Sequence, residues 1–171
     1  MRVFVSTTTF AEHSKKPLEM LRKQGIKCTL NPYGRKLKET EIGAVLSENS
    51  YDGLIAGTEP LTEKVLRNAG PLKVISRVGV GMDNVSLETA KECRIKVHNT
   101  PSVLIDSVAE LTIGLMLCCL RRIAHVDRNV RRNIWQKEMG GLLKGKVTGI
   151  IGFGKIGKRV ASLVKAFGAE I

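Results

Sequence analysis

Between residues 2 and 99, short β-rich runs alternate with stretches of helical period, and this rhythm leaves few folds open. RVFVS (2–6), KCTLN (27–31), YDGLIAG (51–57), KVISRVG (73–79) and IKVHN (95–99) read as strands. Between them, residues 15–25 place Leu18, Leu21 and Arg22 at helical spacing and stop at Gly25, while residues 38–48 put Ile42, Val45 and Leu46 on one face. Residues 62–70 start at Thr62, whose hydroxyl suits the first turn of a helix, and residues 86–94 form a short one. Strand–helix repeats with short connections mean an α/β fold, a parallel sheet with helices on both faces.

At NTPS (99–102) the rhythm changes, and a domain boundary is expected near residue 100, dividing the chain into 1–100 and 101–171. Residues 102–130 read as one long helix or two in succession. They are apolar most of the way round and so expected to lie buried between layers. Gly140-Gly141 makes a break, after which VTGII (147–151) reads as a strand and IGKRVASLVKAF (156–167) as a helix.

Between these two lies Gly152-Phe153-Gly154-Lys155-Ile156-Gly157, a GxGxxG turn. With 17 glycines in the chain the spacing alone says little, and a plain tight turn is the competing reading. Its place between an apolar strand and a helix is what points to dinucleotide binding. There Gly152 permits the turn, Gly154 lets backbone approach a pyrophosphate, and Gly157 lets helix and strand pack closely. Amides at the helix N-terminus would then face the phosphates. The acid that holds the adenosine ribose should follow about 20 residues after the turn begins, and Glu170 stands too early to be it.

Composition narrows the function further. No run of about 18 uncharged apolar residues suggests a membrane span, and the N-terminus lacks signal-peptide character, so the expected compartment is the cytoplasm. Cys28, Cys93, Cys118 and Cys119 show no CxxC spacing, and His13, His98 and His125 are scattered, so no metal site is expected. The net charge of +12 is concentrated late: residues 1–120 carry +3 and residues 121–171 carry +9. A basic region of this kind can serve nucleic acid, but one Trp, two Tyr and four Phe offer little stacking surface, and a solvated helical face is the preferred reading.

VISRVGVGMDNV (74–85), VHNTP (97–101), SVAELTIGLML (107–117) and GIIGFGKIG (149–157), in this order and spacing, closely resemble the D-isomer-specific 2-hydroxyacid dehydrogenases, the phosphoglycerate dehydrogenase group in particular. The resemblance implies a flavodoxin-like substrate domain, residues 1–100, followed by the start of a Rossmann coenzyme domain, residues 101–171. It implies NAD as cofactor, a small 2-hydroxy or 2-oxo acid as substrate, and a homodimer formed partly through the helix at 102–125. By the same resemblance, Val78, Gly79 and Val80 offer backbone amides to the substrate carboxylate, and Val80 and Val108 lie near the nicotinamide. Gly152, Gly154, Lys155, Ile156 and Gly157 lie beneath the pyrophosphate, and Asp83 and Asn84 brace the loop.

Two departures qualify the resemblance. Phosphoglycerate-specific relatives often carry an Arg after the third strand, where this chain has Gly57 in LIAGTEPLT. The family's catalytic Arg, Glu and His fall beyond position 171 in its pattern, so the chain reads as the N-terminal portion of a dehydrogenase and is expected to show no turnover by itself. The runner-up is a non-enzymatic nucleotide-sensing or scaffold protein derived from the same fold.

Overall fold

A computed structural model describes residues 1–171. The chain divides into two compact units, Met1–Pro101 and Ser102–Ile171.

The first unit holds a five-stranded sheet of β1 (Arg2–Val5), β2 (Lys27–Leu30), β3 (Gly53–Ala56), β4 (Val74–Arg77) and β5 (Lys96–Asn99). All pairings are parallel, in the order β2-β1-β3-β4-β5. The helices are α1 (Lys16–Lys23), α2 (Glu39–Glu48), α3 (Glu63–Arg67) and α4 (Leu87–Glu92). The passage from β1 to β2 runs one way along the sheet and every later one runs the other way, so right-handed crossovers put α1 alone on one face. Accordingly α1 packs on β2 and buries none of its residues, whereas α2 packs on α3 and α3 on α4. The core lies on that three-helix side: Phe4, Leu54 and Ile75 from the strands meet Ile42 and Leu46 of α2 and Val65 and Leu66 of α3.

Local signals read from the residues take their expected forms. Thr62 Oγ1 accepts from the Val65 N–H at 3.4 Å at the start of α3. Gly25 takes φ +70° just beyond α1, where the Ile26 N–H reaches back to the Leu21 carbonyl at 3.0 Å.

In the second unit, residues 102–130 form two helices, α5 (Ile105–Leu120) and α6 (Ile123–Arg131), with Arg122 between them in the left-handed region. Gly141 N–H caps the Leu120 carbonyl at 2.8 Å, and a Cβ at Gly140 would stand 2.9 Å from that same oxygen, which explains the glycine at 140. The last helix, α7 (Lys155–Ala166), packs on α5 through Val160 and Val164 against Ala109 and Ile113.

Two expectations need correction here. The helical stretch is not buried all round: α5 buries only Ala109 and Ile113, and Leu111 and Leu115 are 62% and 57% exposed. A helix hydrophobic on every side needs neighbours on every side, and in this unit α7 packs against one face only. Nor do residues 147–151 form a strand. Val147 makes a single parallel bridge to Glu170, supported by Thr148 N–H to the Glu170 carbonyl and Glu170 N–H to the Lys146 carbonyl, both 2.8 Å. Strand structure is pairing, and only the short segment after α7 runs alongside.

Candidate functional site

In the first unit, the candidate loop follows β4. Val78 N–H continues the sheet ladder to the Ala56 carbonyl at 2.8 Å, and Gly79 N–H donates to Thr100 Oγ1 at 2.8 Å. Val80 N–H alone of the three has no partner in the chain. Of the expected anion-binding amides, two are thus engaged within the fold and one is free.

Gly79 is required by the fold itself. Its φ is +140°, a backbone conformation that side-chain-bearing residues rarely adopt, and beside it Arg77 folds back to give Nη1 to the Val78 carbonyl at 2.6 Å. Residues at the end of β5 and just past it pin the loop from the other side. Asn99 Nδ2 donates to the Val80 carbonyl at 2.6 Å, and Thr100 N–H donates to the Gly79 carbonyl at 3.0 Å. Their places in VHNTP, beside the glycine loop across a parallel pair, were the only signal of this role.

Asn84 ties its own segment to the one after β3: its Nδ2 donates to the Glu59 carbonyl at 2.7 Å and lies 3.4 Å from the Gly57 carbonyl. Sequence reasoning missed Glu59 itself. It is a buried carboxylate after β3, bonded by the Ser6 hydroxyl and by the Gly57 N–H at 3.1 and 3.2 Å. An acid in a Pro-containing loop carries no mark of burial, so nothing in its neighbours could have exposed it.

In the second unit, the glycine turn divides its three glycines by role. Gly152 has φ +89°, which suits glycine, and a Cβ at Gly157 would overlap the Gly152 carbonyl oxygen. Gly154, the residue before α7, has φ −77° and would carry a Cβ with nothing within 4 Å. Gly152 and Gly157 serve the fold; Gly154 leaves a space the fold does not need. No side chain caps α7, the N–H groups of Lys155, Ile156 and Gly157 have no hydrogen-bond partner in the chain, and Lys155 and Lys158 enter no ion pair. An uncapped helix start flanked by lysines favours an anion. Arg159 is committed elsewhere, to Asp106 Oδ1 at 2.7 Å. Val108 lies near the start of α5, 37% exposed, next to the buried Ala109. No three His, Cys, Asp or Glu residues converge in a way that could hold a metal ion, and no helix is long and apolar enough to cross a membrane.

Comparison with known proteins gives these features a setting. The family model described as D-isomer specific 2-hydroxyacid dehydrogenase, catalytic domain, matches residues 5–167. A hydroxypyruvate reductase of Thermotoga maritima is 42% identical over 120 residues, which cover 69% of this chain and 39% of that protein. A D-3-phosphoglycerate dehydrogenase of Methanocaldococcus jannaschii is 41% identical over 138 residues, covering 80% of this chain and 24% of that one. The crystal structure of an NAD+-bound 3-phosphoglycerate dehydrogenase of Entamoeba histolytica superposes with a TM-score of 0.78 at 29% identity, over 100% of this chain and 52% of that one. The chain therefore spans about half of that solved relative and less of the two sequence relatives.

Proposed function

The chain belongs to the D-isomer specific 2-hydroxyacid dehydrogenase family, and from that premise we propose that it forms part of an NAD-dependent oxidoreductase acting on the CH–OH group of a small D-2-hydroxy acid. Residues 1–100 are the N-terminal part of the substrate domain and residues 101–171 the start of the coenzyme domain. The observation that carries this reading is Gly154: its missing side chain is demanded by nothing in the chain, yet it leaves open space at the start of α7, where three N–H groups have no partner in the chain. A dinucleotide's pyrophosphate fits that cradle, with Gly152, Gly154, Ile156 and Gly157 beneath it and Lys155 as a counter-charge. When bound, the nicotinamide supplies a hydride acceptor or donor.

On the other side of the reaction, Val80 N–H is the amide available to a substrate carboxylate, and Val78 and Gly79 hold it in place through Ala56 and Thr100. The exposed Leu111 and Leu115 on α5 support a homodimer through that helix, which analytical ultracentrifugation checks.

The test separates binding from turnover. The 171 residues are expected to bind NADH weakly and to reduce no 2-oxo acid, because the acid/base His and the carboxylate-holding Arg of the family pattern fall beyond position 171. Gly154→Ala is expected to leave the melting temperature unchanged and to weaken NADH binding roughly tenfold, read by nicotinamide fluorescence. Unchanged binding in Gly154→Ala overturns the cradle, and NADH-dependent reduction of glyoxylate by the chain overturns the predicted inactivity.

A further inference from the structure

After α6 the chain runs without regular structure as far as Gly141, and one carboxylate holds it. The backbone bonds stop at Ile134, whose N–H meets the Asn129 carbonyl at 2.9 Å, and resume at Gly141, bonded to the Leu120 carbonyl. Between them, residues 135–140 are hydrogen-bonded to the rest of the second unit through Glu138 alone. The Glu138 side chain is 12% exposed, while Trp135 and Met139 close by in sequence are 93% and 80% exposed. Glu138 reaches two basic side chains where α5 gives way to α6. Its Oε2 accepts from Arg122 Nη1 at 2.6 Å, and its Oε1 lies 3.1 Å from His125 Nε2. Arg122 is the residue held at φ +56° between the two helices, a conformation costly for a residue with a Cβ, so the same grip supports the turn it starts from.

His125 Nε2 has a second neighbour: Asn129 Nδ2, one turn along α6, also lies 3.1 Å from it. The two neighbours make opposite demands, since a carboxylate oxygen needs an N–H at Nε2 and an amide NH2 needs a lone pair there. A neutral ring meets one demand or the other, according to its tautomer. A charged ring carries N–H at both nitrogens, so Nε2 donates to Glu138, the opposite charges attract, and the Asn129 amide must turn. The remaining charged side chains nearby make no hydrogen bond to the ring. Asp127 is held by Arg131 at 2.9 and 3.0 Å, and Arg121 and Lys137 share a hollow with Glu138 without entering an ion pair. Arg128 and Arg132 follow on α6 and at its end, and the last turn of α5, which packs on α6, adds Cys118 and Cys119 and no charge.

We infer that Glu138 is a pH-sensitive latch on residues 135–140, closed while His125 is charged and loosened when the ring is neutral. The chain's single Trp and the exposed Met139 ride on the latched segment, so the device sets how firmly an exposed apolar surface is held in place. Imidazole changes charge between about pH 5 and 8, so the ion pair is present below that range and is lost as pH rises through it. The latch stands apart from the dehydrogenase reading, because none of its residues belongs to the glycine turn or to the loop after β4.

Trp135, three residues from Glu138 and the only Trp in the chain, reports the latch through its time-resolved fluorescence anisotropy. The ratio of freely rotating to held indole is expected to be about two- to fourfold higher at about pH 8 than at about pH 5.5, with a smaller difference in added salt because the pair is partly exposed. In His125→Gln, whose amide can donate to Glu138 but does not titrate, the ratio should lose its pH dependence. Glu138→Ala should leave the indole free at both pH values. The ring signals of His125 in the unaltered ¹⁵N-labelled chain supply a measurement that needs no variant: the midpoint of the Nε2 titration and that of the Trp135 response should coincide. An indole ratio that does not change with pH, midpoints that do not coincide, or a pH response retained in folded His125→Gln each overturns the inference.

Discussion

Gly157 lies so close to the start of its own turn that a single methyl group would overlap the Gly152 carbonyl oxygen. Backbone cannot yield as a flexible side chain can, so Gly157→Ala is expected to destabilise the second unit by about 1–3 kcal/mol, measured by urea denaturation, with Gly154→Ala as the silent control. The two glycines look alike in the motif and are separated only by what surrounds them. A second residue-scale effect concerns acid. Arg35 grips Glu41 with two hydrogen bonds of 2.6 and 2.8 Å, and the Lys38 N–H donates to it as well, which lowers its carboxyl from 4.5 to about 2. A carboxyl held below its unfolded value contributes stability that is complete above about pH 4.5 and is lost as pH falls towards 2. Glu41→Gln should therefore flatten the acid limb of the stability profile of the first unit and leave its slope above pH 5, roughly, unaltered. Because the pair is exposed to solvent, added salt should shrink the effect.

At the scale of elements, α5 shows how one helix can carry two kinds of apolar residue. Ile113 is 7% exposed and packs with Val160 and Val164, whereas Leu115, two residues on, is 57% exposed. Ile113→Ala is expected to cost about 2–4 kcal/mol of the second unit's stability, and Leu115→Gln less than about 0.5 kcal/mol, both read from thermal unfolding of the monomer. If α5 is also a dimer face, as proposed, Leu115→Gln should instead shift the sedimentation equilibrium towards monomer. Elsewhere the helix ends follow local chemistry: Thr62 caps α3 and Gly25 releases α1, as their residue types predict. The division of residues 102–130 at Arg122 has no such mark, since a non-glycine residue in the left-handed region is supported there by the Gly141 N–H and Gly140 lying against the end of α5.

For the whole molecule, the division into Met1–Pro101 and Ser102–Ile171 sets an expectation for dissection. The first unit contains all five strands of its sheet and its own core, so residues 1–101 expressed alone should unfold cooperatively; gradual melting without a transition would count against it as an independent domain. Much of this architecture was legible in the residues, because strand and helix periods, Thr62, Gly25 and the glycine spacing are local properties that neighbours in sequence decide. The parallel sheet followed in turn from the handedness of short crossovers. What local pattern could not supply is anything that depends on which surfaces meet. The apolar residues of 102–130 predicted burial on every side, and only the packing of α7 decides that Ile113 is covered while Leu111 and Leu115 are not. VTGII has a strand's composition, but pairing decides whether it is one, and a single bridge forms. The resemblance assigns the Gly79 amide to an anion, and only the tertiary structure brings Thr100 Oγ1 to accept from it. Glu59 is the sharpest case: its residue type argues for solvent, and only the meeting of β1, β3 and the loop around Asn84 buries it, because burial is a property of the assembled surfaces and not of the segment that carries the side chain.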